Sequence, residues 1–195
     1  MQVTLASNNS GKLAEFKSLL APLDWQIQAQ GELGIEDADE TGSTFVENAL
    51  IKARHACHAV ATPAIADDSG LVVPALNGAP GIFSARYAGV HGDDQANNQL
   101  LIKNMQGVED RRAYFFCAMV FMRHAEDPVP VITTAAWHGS LTDTAHGDHG
   151  FGYDPYFWVA EHGCTSAQLD PHIKNQLSHR GQATAQLLSQ LRALN

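Results

Sequence analysis

The sequence predicts an α/β protein, in which strands and helices follow one another along the chain. Residues 2–6 form a short apolar run, and a polar turn separates this run from an amphipathic helix. Residues 112–122 and 129–141 are long apolar stretches separated by a turn at Asp127, so they are predicted to pair as an antiparallel hairpin. The chain closes with an amphipathic helix that carries Leu187, Leu188 and Leu191.

The remaining elements follow from spacing and capping residues. The first helix places Leu13 and Phe16 on one face, and Pro22 is expected to end it. Residues 25–29 alternate in polarity and predict a strand. Thr44 is followed three residues later by Glu47, the pattern of a capping box, and predicts a helix that reaches about residue 60. A further helix is predicted from residue 93 or 94 to about residue 105.

Length and composition indicate one globular domain, which we expect to span residues 1–195. Hydrophobic residues make up 45% of the chain and charged residues 17%, and no run of about 18 apolar residues predicts a membrane span. Residues 1–6 lack the basic and long apolar regions of a secretory signal. The three cysteines are far apart and form no CxxC pair, which favours a reduced, cytoplasmic chain with buried thiols.

The charge balance argues against nucleic acid as the main ligand. The formal net charge is -9, and a chain of that charge repels an extended polyanion, although one small phosphorylated ligand could still bind. Of the ten histidines, His55 and His58 form a close pair at helical spacing. A zinc site would need further ligands of this kind, so most histidines are interpreted as surface or packing residues.

Residues 63–73 are the central stretch of the sequence. A short apolar run ends at Asp67 and Asp68, and a second apolar run follows Ser69 and Gly70, which predicts two buried strands joined by an acidic turn. Carboxylates between two hydrophobic elements cost free energy unless something binds them. They therefore indicate a metal site or a proton-transfer role, and the alternative is an ordinary solvated turn.

A second candidate site is the polar turn at residues 7–12, between the first strand and the first helix. This arrangement presents backbone N–H groups to an anion at a helix N-terminus, with Lys12 beside them. The spacing is not that of a Walker A loop. The turn therefore indicates phosphate binding, and the alternative is a capped helix that simply follows a strand.

Three other stretches supply chemistry that suits a nucleotide. Residues 36–40 hold four acids, residues 147–157 combine glycines with aromatic rings, and residues 178–181 place His179 and Arg180 in a turn before the last helix. Acidic runs are usually solvated loops, and aromatic rings beside glycines suit a flat base. Cations and amides for phosphates, carboxylates for Mg2+ and aromatic rings for a base are what a nucleoside triphosphate needs.

The chain resembles the non-canonical purine nucleoside triphosphate pyrophosphatase family, the HAM1-like inosine and xanthosine triphosphatases. The resemblance runs nearly end to end and rests on six motifs in the same order. These motifs are residues 7–12, 40–49, 66–71, 78–87, 150–155 and 178–181. Against the family pattern, Asn8 stands where glycine is common, and His172 and Ile173 stand where Glu often precedes the lysine that Lys174 matches.

The resemblance implies an α/β fold with a long central mixed β-sheet, flanking helices and two lobes around a nucleotide cleft. It implies hydrolysis of ITP, dITP and XTP to the monophosphate and pyrophosphate with Mg2+, by a cytoplasmic homodimer. The expected partner is thus a small-molecule nucleoside triphosphate, with no nucleic acid and no membrane.

Roles at the phosphates follow from the chemistry and from the family pattern together. Water is expected to attack the α-phosphorus, with Asp68 as the general base. Glu40 and Asp68 are the expected metal ligands, with Asp39 as a rival to Glu40 and Asp67 as a further metal-site carboxylate. Lys52 and Ser69 are expected to contact phosphate oxygens. The polar turn is expected to do the same through Ser7, Asn8, Asn9, Ser10, Gly11 and Lys12.

Roles at the base form a separate set. Donors from His179 or Arg180 would favour the C6 oxo group of hypoxanthine or xanthine over the amino group of adenine. Phe151 and Tyr153 are expected to stack on the base, and Asp154 is expected to accept from its ring N–H. The family pattern adds Lys174 and Gly152 to the substrate-binding residues.

The sequence suggests three alternative functions. An aspartyl-phosphate phosphatase would need a DxDx[TV] loop, whereas Asp67 and Asp68 are adjacent. A pyrophosphatase for modified pyrimidine nucleotides would use similar phosphate chemistry. A nucleotide-binding protein without catalysis is the third alternative, and Lys12, Asp68 and Arg180 argue against it.

Overall fold

The computed structural model describes residues 1–21 and 25–193, and within these ranges it contains seven strands and five α-helices. The strands are β1 Gln2–Leu5, β2 Gln26–Ala29, β3 Ala64–Val72, β4 Arg112–Met122, β5 Val131–Leu141, β6 Phe157–Val159 and β7 Cys164–Thr165. The helices are α1 Ser10–Leu20, α2 Phe45–Val60, α3 Asp94–Asn104, α4 Pro171–Leu177 and α5 His179–Ala193. Pro22, which was predicted to end α1, lies outside the described residues.

The strands form one mixed sheet in the order β2-β1-β3-β4-β5-β6-β7. Strand β1 pairs in parallel with β2 and β3, whereas β6 pairs antiparallel with β5 and β7. The predicted α/β class with a mixed central sheet and flanking helices is therefore confirmed. The predicted hairpin strands, β4 and β5, are neighbours in the sheet.

Helix starts agree with the capping residues in the sequence. Thr44 caps α2, and its hydroxyl accepts a hydrogen bond from the Glu47 amide at 3.2 Å while Glu47 accepts from the Ser43 amide at 2.8 Å. Asp93 caps α3 and accepts from the Ala96 amide at 3.0 Å. These side chains satisfy amides that the first helical turn leaves without partners, which is why both helix starts were predictable.

Two sequence predictions about turns are wrong. Residues 64–72 form the single strand β3, so Asp67 and Asp68 lie within a strand and not in a turn between two strands. Lys12 pairs with Asp67, and Lys52 and Asn48 contact Asp68, so both carboxylates are compensated within the strand. Residues His179 and Arg180 belong to α5, and the predicted turn contracts to the extended residue Ser178 between α4 and α5.

The chain divides into two compact units. The first unit comprises Met1–Asp68, Cys117–Ala135 and Arg180–Asn195. Its core lies where α1 and α5 contribute apolar side chains to the sheet, and the buried residues include Leu5, Phe16, Ile65, Met119 and Leu187. Helix α2 contributes a stripe of fully buried small residues, which are Ala49, Ala53 and Ala56.

The second unit comprises Ser69–Phe116 and Ala136–His179 and has its own core. Aromatic rings dominate this core. The Phe157 ring lies 4.6 Å from the Phe115 ring and 5.1 Å from the Trp137 ring, measured between centroids. Rings in this range of separation add to the stabilisation that comes from burying their area.

Cysteines and helix lengths give two further results. Cys57, Cys117 and Cys164 are free thiols, and burial raises the pKa of Cys57 to about 11 and that of Cys117 to about 12. Thiols with a pKa this high are protonated and poorly reactive at neutral pH. None of the described helices is long and apolar enough to cross a membrane.

Candidate active site

Asp67 and Asp68 are adjacent in β3, and their side chains therefore point to opposite faces of the sheet. Asp67 shares its face with Ile65, which belongs to the core formed with α1 and α5. Asp68 shares its face with Ala66 and meets side chains from α2. Two carboxylates that are neighbours in sequence thus have separate partners.

Asp67 lies in a network of cations. Its side chain is fully buried, the Lys12 Nζ atom is 2.8 Å from its Oδ2 atom, and the Arg180 Nε atom is 3.6 Å from the same oxygen. Arg180 also forms an ion pair with Glu15. Burial opposes ionisation of Asp67, but Lys12, Arg180 and Lys52 outweigh it and hold the pKa of this carboxyl well below its usual range. Asp67 is therefore a permanent anion of this network.

Asp68 has a different electrostatic environment. The Asn48 Nδ2 atom donates to its Oδ2 atom at 3.1 Å, and the Lys52 Nζ atom is 3.3 Å from its Oδ1 atom. Burial raises the pKa of Asp68, and Lys52 and Lys12 oppose this shift without cancelling it. A buried carboxylate whose proton affinity is raised is suited to accept a proton from water.

Asn48 holds this carboxylate in place and was missed as a site residue by the sequence reasoning. Its side chain is fully buried, and its Oδ1 atom accepts from the Gly42 amide at 2.9 Å while its Nδ2 atom donates to Asp68. A side chain at Gly42 would lie 2.6 Å from the Glu47 Cβ atom, so the loop approaches α2 this closely only with glycine. Asn48 and Lys52 are four residues apart on α2, a spacing that could have identified them as a pair on one face.

Lys52 links Asp68 to Glu40. Its Nζ atom is 2.8 Å from the Glu40 Oε1 atom, which makes Glu40 the acid of the run at residues 36–40 that shares a cation with Asp68. Lys52 stays charged, because Asp68, Asp67 and Glu40 outweigh its burial and raise its pKa.

Glu40 and Asp68 also fit a magnesium ion. Their oxygens already converge on one cation, the Lys52 ammonium, and Mg2+ in nucleotide enzymes uses one or two carboxylates with water and phosphate as the other ligands. Among the described residues no group of three or more His, Cys, Asp or Glu side chains could hold a metal by itself. A metal at this place would therefore depend on ligands from water or substrate.

The polar turn at residues 7–12 begins α1. Asn9 is the N-cap and accepts from the Lys12 amide at 3.0 Å, and the Ser7 hydroxyl accepts from the Asn9 amide at 3.2 Å. The Asn8 side chain donates to Asp37 at 2.9 Å and so contacts the acidic run. Ser10 and Gly11 are the first two residues of the helix. The turn is thus a capped helix start, a feature that both alternatives share, and Lys12 places its ammonium against Asp67.

The second unit holds the other predicted residues around Asp154. Its buried carboxylate accepts from Lys174 Nζ at 2.7 Å, from Ser166 Oγ at 2.7 Å and from the Phe151 amide at 2.9 Å. A side chain at Gly150, whose φ is +78°, would lie 2.1 Å from the Asp154 Oδ2 atom. Only glycine fits there. Ser166 was missed by the sequence reasoning because no motif marks it.

The two aromatic residues of this loop differ in exposure. Tyr153 belongs to the second core, its hydroxyl donates to the Ser84 carbonyl at 2.8 Å, and burial raises its pKa. Phe151 is half-buried, and the Lys174 Nζ atom lies 5.4 Å from its ring centroid. Of the two rings, Phe151 therefore has more surface for a stacked ligand.

His179 and Ser69 complete the predicted set. The His179 ring stacks on Phe115 with centroids 4.9 Å apart and an angle of 13° between the planes. Only 6% of His179 is exposed, so its orientation is fixed by packing. Ser69 is a half-buried residue of β3.

Comparisons with known proteins agree on one family. The family model described as the Ham1 family matches residues 3–190. A dITP/XTP pyrophosphatase of Bordetella pertussis is 53% identical over 195 residues, covering 98% of this chain and 92% of that protein. The solved structure of a HAM1 protein from Coxiella burnetii is similar at a TM-score of 0.92 and 47% identity, with 99% of each chain covered. The Ham1 protein of Staphylococcus aureus is similar at a TM-score of 0.89 and 39% identity over the full length of both chains.

Proposed function

The chain belongs to the Ham1 family, and we propose that it hydrolyses the triphosphates of non-canonical purine nucleosides. The substrates are ITP, dITP and XTP, and the products are the nucleoside monophosphate and pyrophosphate. The curated relatives that are about half identical to this chain are named dITP/XTP pyrophosphatases, which supports this substrate class. Removal of such nucleotides from the pool is the resulting cellular role.

The observation that carries the proposal is the setting of Asp68. This carboxylate is buried, is fixed by Asn48 and Lys52, and has a raised pKa. We assign to it the general base that takes a proton from the water attacking the α-phosphorus. A base whose pKa lies nearer to neutrality holds the abstracted proton better than an exposed aspartate does.

Charge at the phosphates is handled by the rest of the first unit. Lys12 and Lys52 supply ammonium groups, Arg180 anchors Asp67, and the start of α1 offers backbone amides from Ser10 and Gly11. Glu40 and Asp68 would hold Mg2+, which when bound neutralises phosphate charge. Ser7, Asn8 and Asn9 complete the proposed phosphate-binding set of the first unit, and Ser69 is proposed as a phosphate-binding residue of the second unit.

Recognition of the base is assigned to residues of the second unit. Phe151 offers a ring face, and Gly152 and Tyr153 carry the backbone beside it. Asp154, charge-balanced by Lys174, offers an acceptor for a ring N–H, and His179 offers a donor for an oxo group. Adenine presents an amino group at C6, so a donor facing C6 would disfavour ATP by about 1–3 kcal/mol for each mismatched contact.

Three finer properties complete the proposal. The chain acts as one pyrophosphatase domain, requires Mg2+, and works as a cytoplasmic homodimer. The three free cysteines, which form no disulfide among the described residues, support a reducing compartment. Sedimentation of the purified protein tests the dimer directly, and a monomer at micromolar concentration would refute it.

A panel of nucleotides tests the reaction. The purified chain is incubated with ITP, dITP, XTP, GTP, ATP and a modified pyrimidine triphosphate in Mg2+, and pyrophosphate and orthophosphate are measured separately. We expect pyrophosphate from the first three at rates at least tenfold above those for ATP, as one or more mismatched donors predict. Orthophosphate as the first product would indicate a phosphatase, and equal rates on ATP and ITP would refute the purine selectivity.

A further inference from the structure

Helix α3 contacts both polar groups of one glycine in the aromatic loop of the second unit. The Asp94 Oδ2 atom accepts from the Gly152 amide at 2.8 Å, and the Asn98 Nδ2 atom donates to the Gly152 carbonyl at 2.9 Å. Asp94 and Asn98 are four residues apart, so they lie on the same face of α3. Gly152 itself stands between Phe151 and Tyr153 with a φ of +63°.

The geometry of Asn98 indicates that its amide is there to donate. Only 8% of Asn98 is exposed, and its Nδ2 atom also donates to the Asp94 carbonyl at 2.8 Å. Its Oδ1 atom is buried without a hydrogen-bond partner among the described residues. A buried polar atom without a partner costs free energy, so this side chain is maintained for its two donated bonds.

The hydrogen bonds that hold Phe151 and Tyr153 do not hold Gly152, whose backbone is bonded to side chains of α3. Asp154 holds the Phe151 amide, and the Tyr153 hydroxyl is held by the Ser84 carbonyl. Without Asp94 and Asn98, the peptide groups on either side of Gly152 would lose two of the bonds that set the direction of the Phe151 ring. A loop glycine loses more conformational freedom on ordering than any other residue, which is why such a position needs external bonds.

We propose that Asp94 and Asn98 are positioning residues for base recognition, holding the Gly152 backbone so that the Phe151 ring is presented to the purine. This inference rests on the proposed function, because it concerns the base end of that same substrate. Neither residue belongs to the phosphate-binding set, and neither is expected to touch the reacting atoms. Their effect is therefore on binding of the base and on selectivity, and not on the chemical step.

Binding of two probes separates the base from the phosphates. Calorimetry measures the Kd of IMP, which carries the base, and of inorganic tripolyphosphate, which has none. Asn98→Ala is expected to weaken IMP binding about tenfold, the effect of losing about one to two net hydrogen bonds, while the Kd of tripolyphosphate stays unchanged. In turnover, the KM for ITP rises by the same factor while kcat stays within about threefold.

Matched variants distinguish positioning from simple destabilisation. Asp94→Ala changes an exposed residue and is expected to fold normally, with IMP binding weakened in the same direction as in Asn98→Ala. Asp94→Asn keeps an acceptor oxygen and is expected to restore most of the affinity. Asp93→Ala removes the cap of the same helix, so it should lower the melting temperature and leave the Kd of IMP unchanged.

The results of these experiments distinguish a positioning role from a purely structural one. If Asn98→Ala or Asp94→Ala lowers the melting temperature but leaves the Kd of IMP unchanged, the residue has only a structural role. That result would overturn the inference. Equal weakening of IMP and tripolyphosphate would also overturn it. Failure of the wild-type chain to release pyrophosphate from ITP would refute the proposed reaction, whereas the binding comparison would still test the positioning role.

Discussion

The two clusters of predicted site residues hold buried polar groups by different means. In the first unit, Asp67 is balanced by Lys12 from α1 and Arg180 from α5, so charges from opposite ends of the chain meet on one strand. In the second unit, Asp154 takes its partners from nearby sequence, with Phe151 three residues away and Lys174 twenty residues away. The first cluster is a network of several charges, and the second is one ion pair that organises a loop.

This difference has an energetic consequence. A network with two cations on one carboxylate leaves a large uncompensated charge when the carboxylate is removed, because the cations remain buried. Removing the carboxylate of a single ion pair leaves only one cation without its partner. If that carboxylate also accepts amide and hydroxyl hydrogen bonds, its removal disturbs the geometry of the surrounding loop. We therefore expect variants of the first cluster to change stability and chemistry, and variants of the second to change recognition.

The largest expected effect belongs to Asp68→Asn. The change removes the proposed base but keeps a side chain of the same size beside Asn48 and Lys52. Turnover of ITP should fall by about 10²–10⁴-fold or more, as expected when a general base is lost. Pyrophosphate release measures the loss, and calorimetry checks that the nucleotide still binds.

The control for this variant is Asp143→Asn, which makes the same chemical change at a carboxylate that is 78% exposed and lies outside both clusters. It should keep wild-type turnover. An Asp68→Asn protein with wild-type rates would remove Asp68 from the role of base and favour a different proton acceptor.

The next effect compares Asp67→Asn with Asp154→Asn. Asp67→Asn leaves Lys12 without its anion and Arg180 with Glu15, and it should lower the free energy of unfolding by about 3–5 kcal/mol. Asp154→Asn leaves only Lys174 and should cost less. Urea unfolding measures both, and equal losses would show that the two clusters are energetically alike, contrary to the comparison.

The smallest effect is in the pH dependence, and it separates the two neighbouring aspartates. The pKa of Asp67 is lowered, so its contribution to stability is present above its ordinary pKa and is lost as the pH falls below about 5. The pKa of Asp68 is raised, so the folded state binds its proton more tightly and its contribution has the opposite sign. Unfolding in urea with a chelator should show a flatter loss of stability with acid for Asp67→Asn and a steeper loss for Asp68→Asn.

Both pH slopes have a clear failing outcome. If Asp67→Asn is as sensitive to acid as the wild type, Asp67 is not the buried anion that the network requires. If both variants shift the slope in the same direction, the two carboxylates have similar environments despite facing opposite sides of β3.

Local features of the sequence predicted local features of the structure well. Thr44 with Glu47 and the pair Asp93 and Asp94 placed the starts of α2 and α3, because capping depends on residues within one turn. The prediction of a turn at the acidic stretch of β3 is wrong, because Asp-Asp-Ser-Gly has the composition of a turn and its partners in the folded structure cannot be read from the sequence. The lysine and arginine that allow a strand there come from α1 and α5, and no local rule brings them together.

The same limit explains the residues that sequence reasoning missed. Asn48, Asn98 and Ser166 are polar residues whose importance comes only from being buried against one particular partner, which are Asp68, Gly152 and Asp154 respectively. Asn48 lay inside a motif that the resemblance had already marked, whereas Asn98 and Ser166 lay in none. Lys12 and Lys52 were predicted because a charged side chain is informative even before its contacts are known, whereas Lys174 was predicted from the family pattern.

Strand β3 sets a condition that any engineering of this chain must respect. Deleting or inserting a single residue ahead of Asp67 would keep both carboxylates, yet it would exchange the sides on which they emerge. The permanent anion would then face the helix that carries Asn48 and Lys52, and the proton acceptor would face the arginine network. The different roles of the two aspartates therefore depend on which face of the strand each one occupies. An Asp-Asp pair moved into another protein would need the same strand register as well as the same residues.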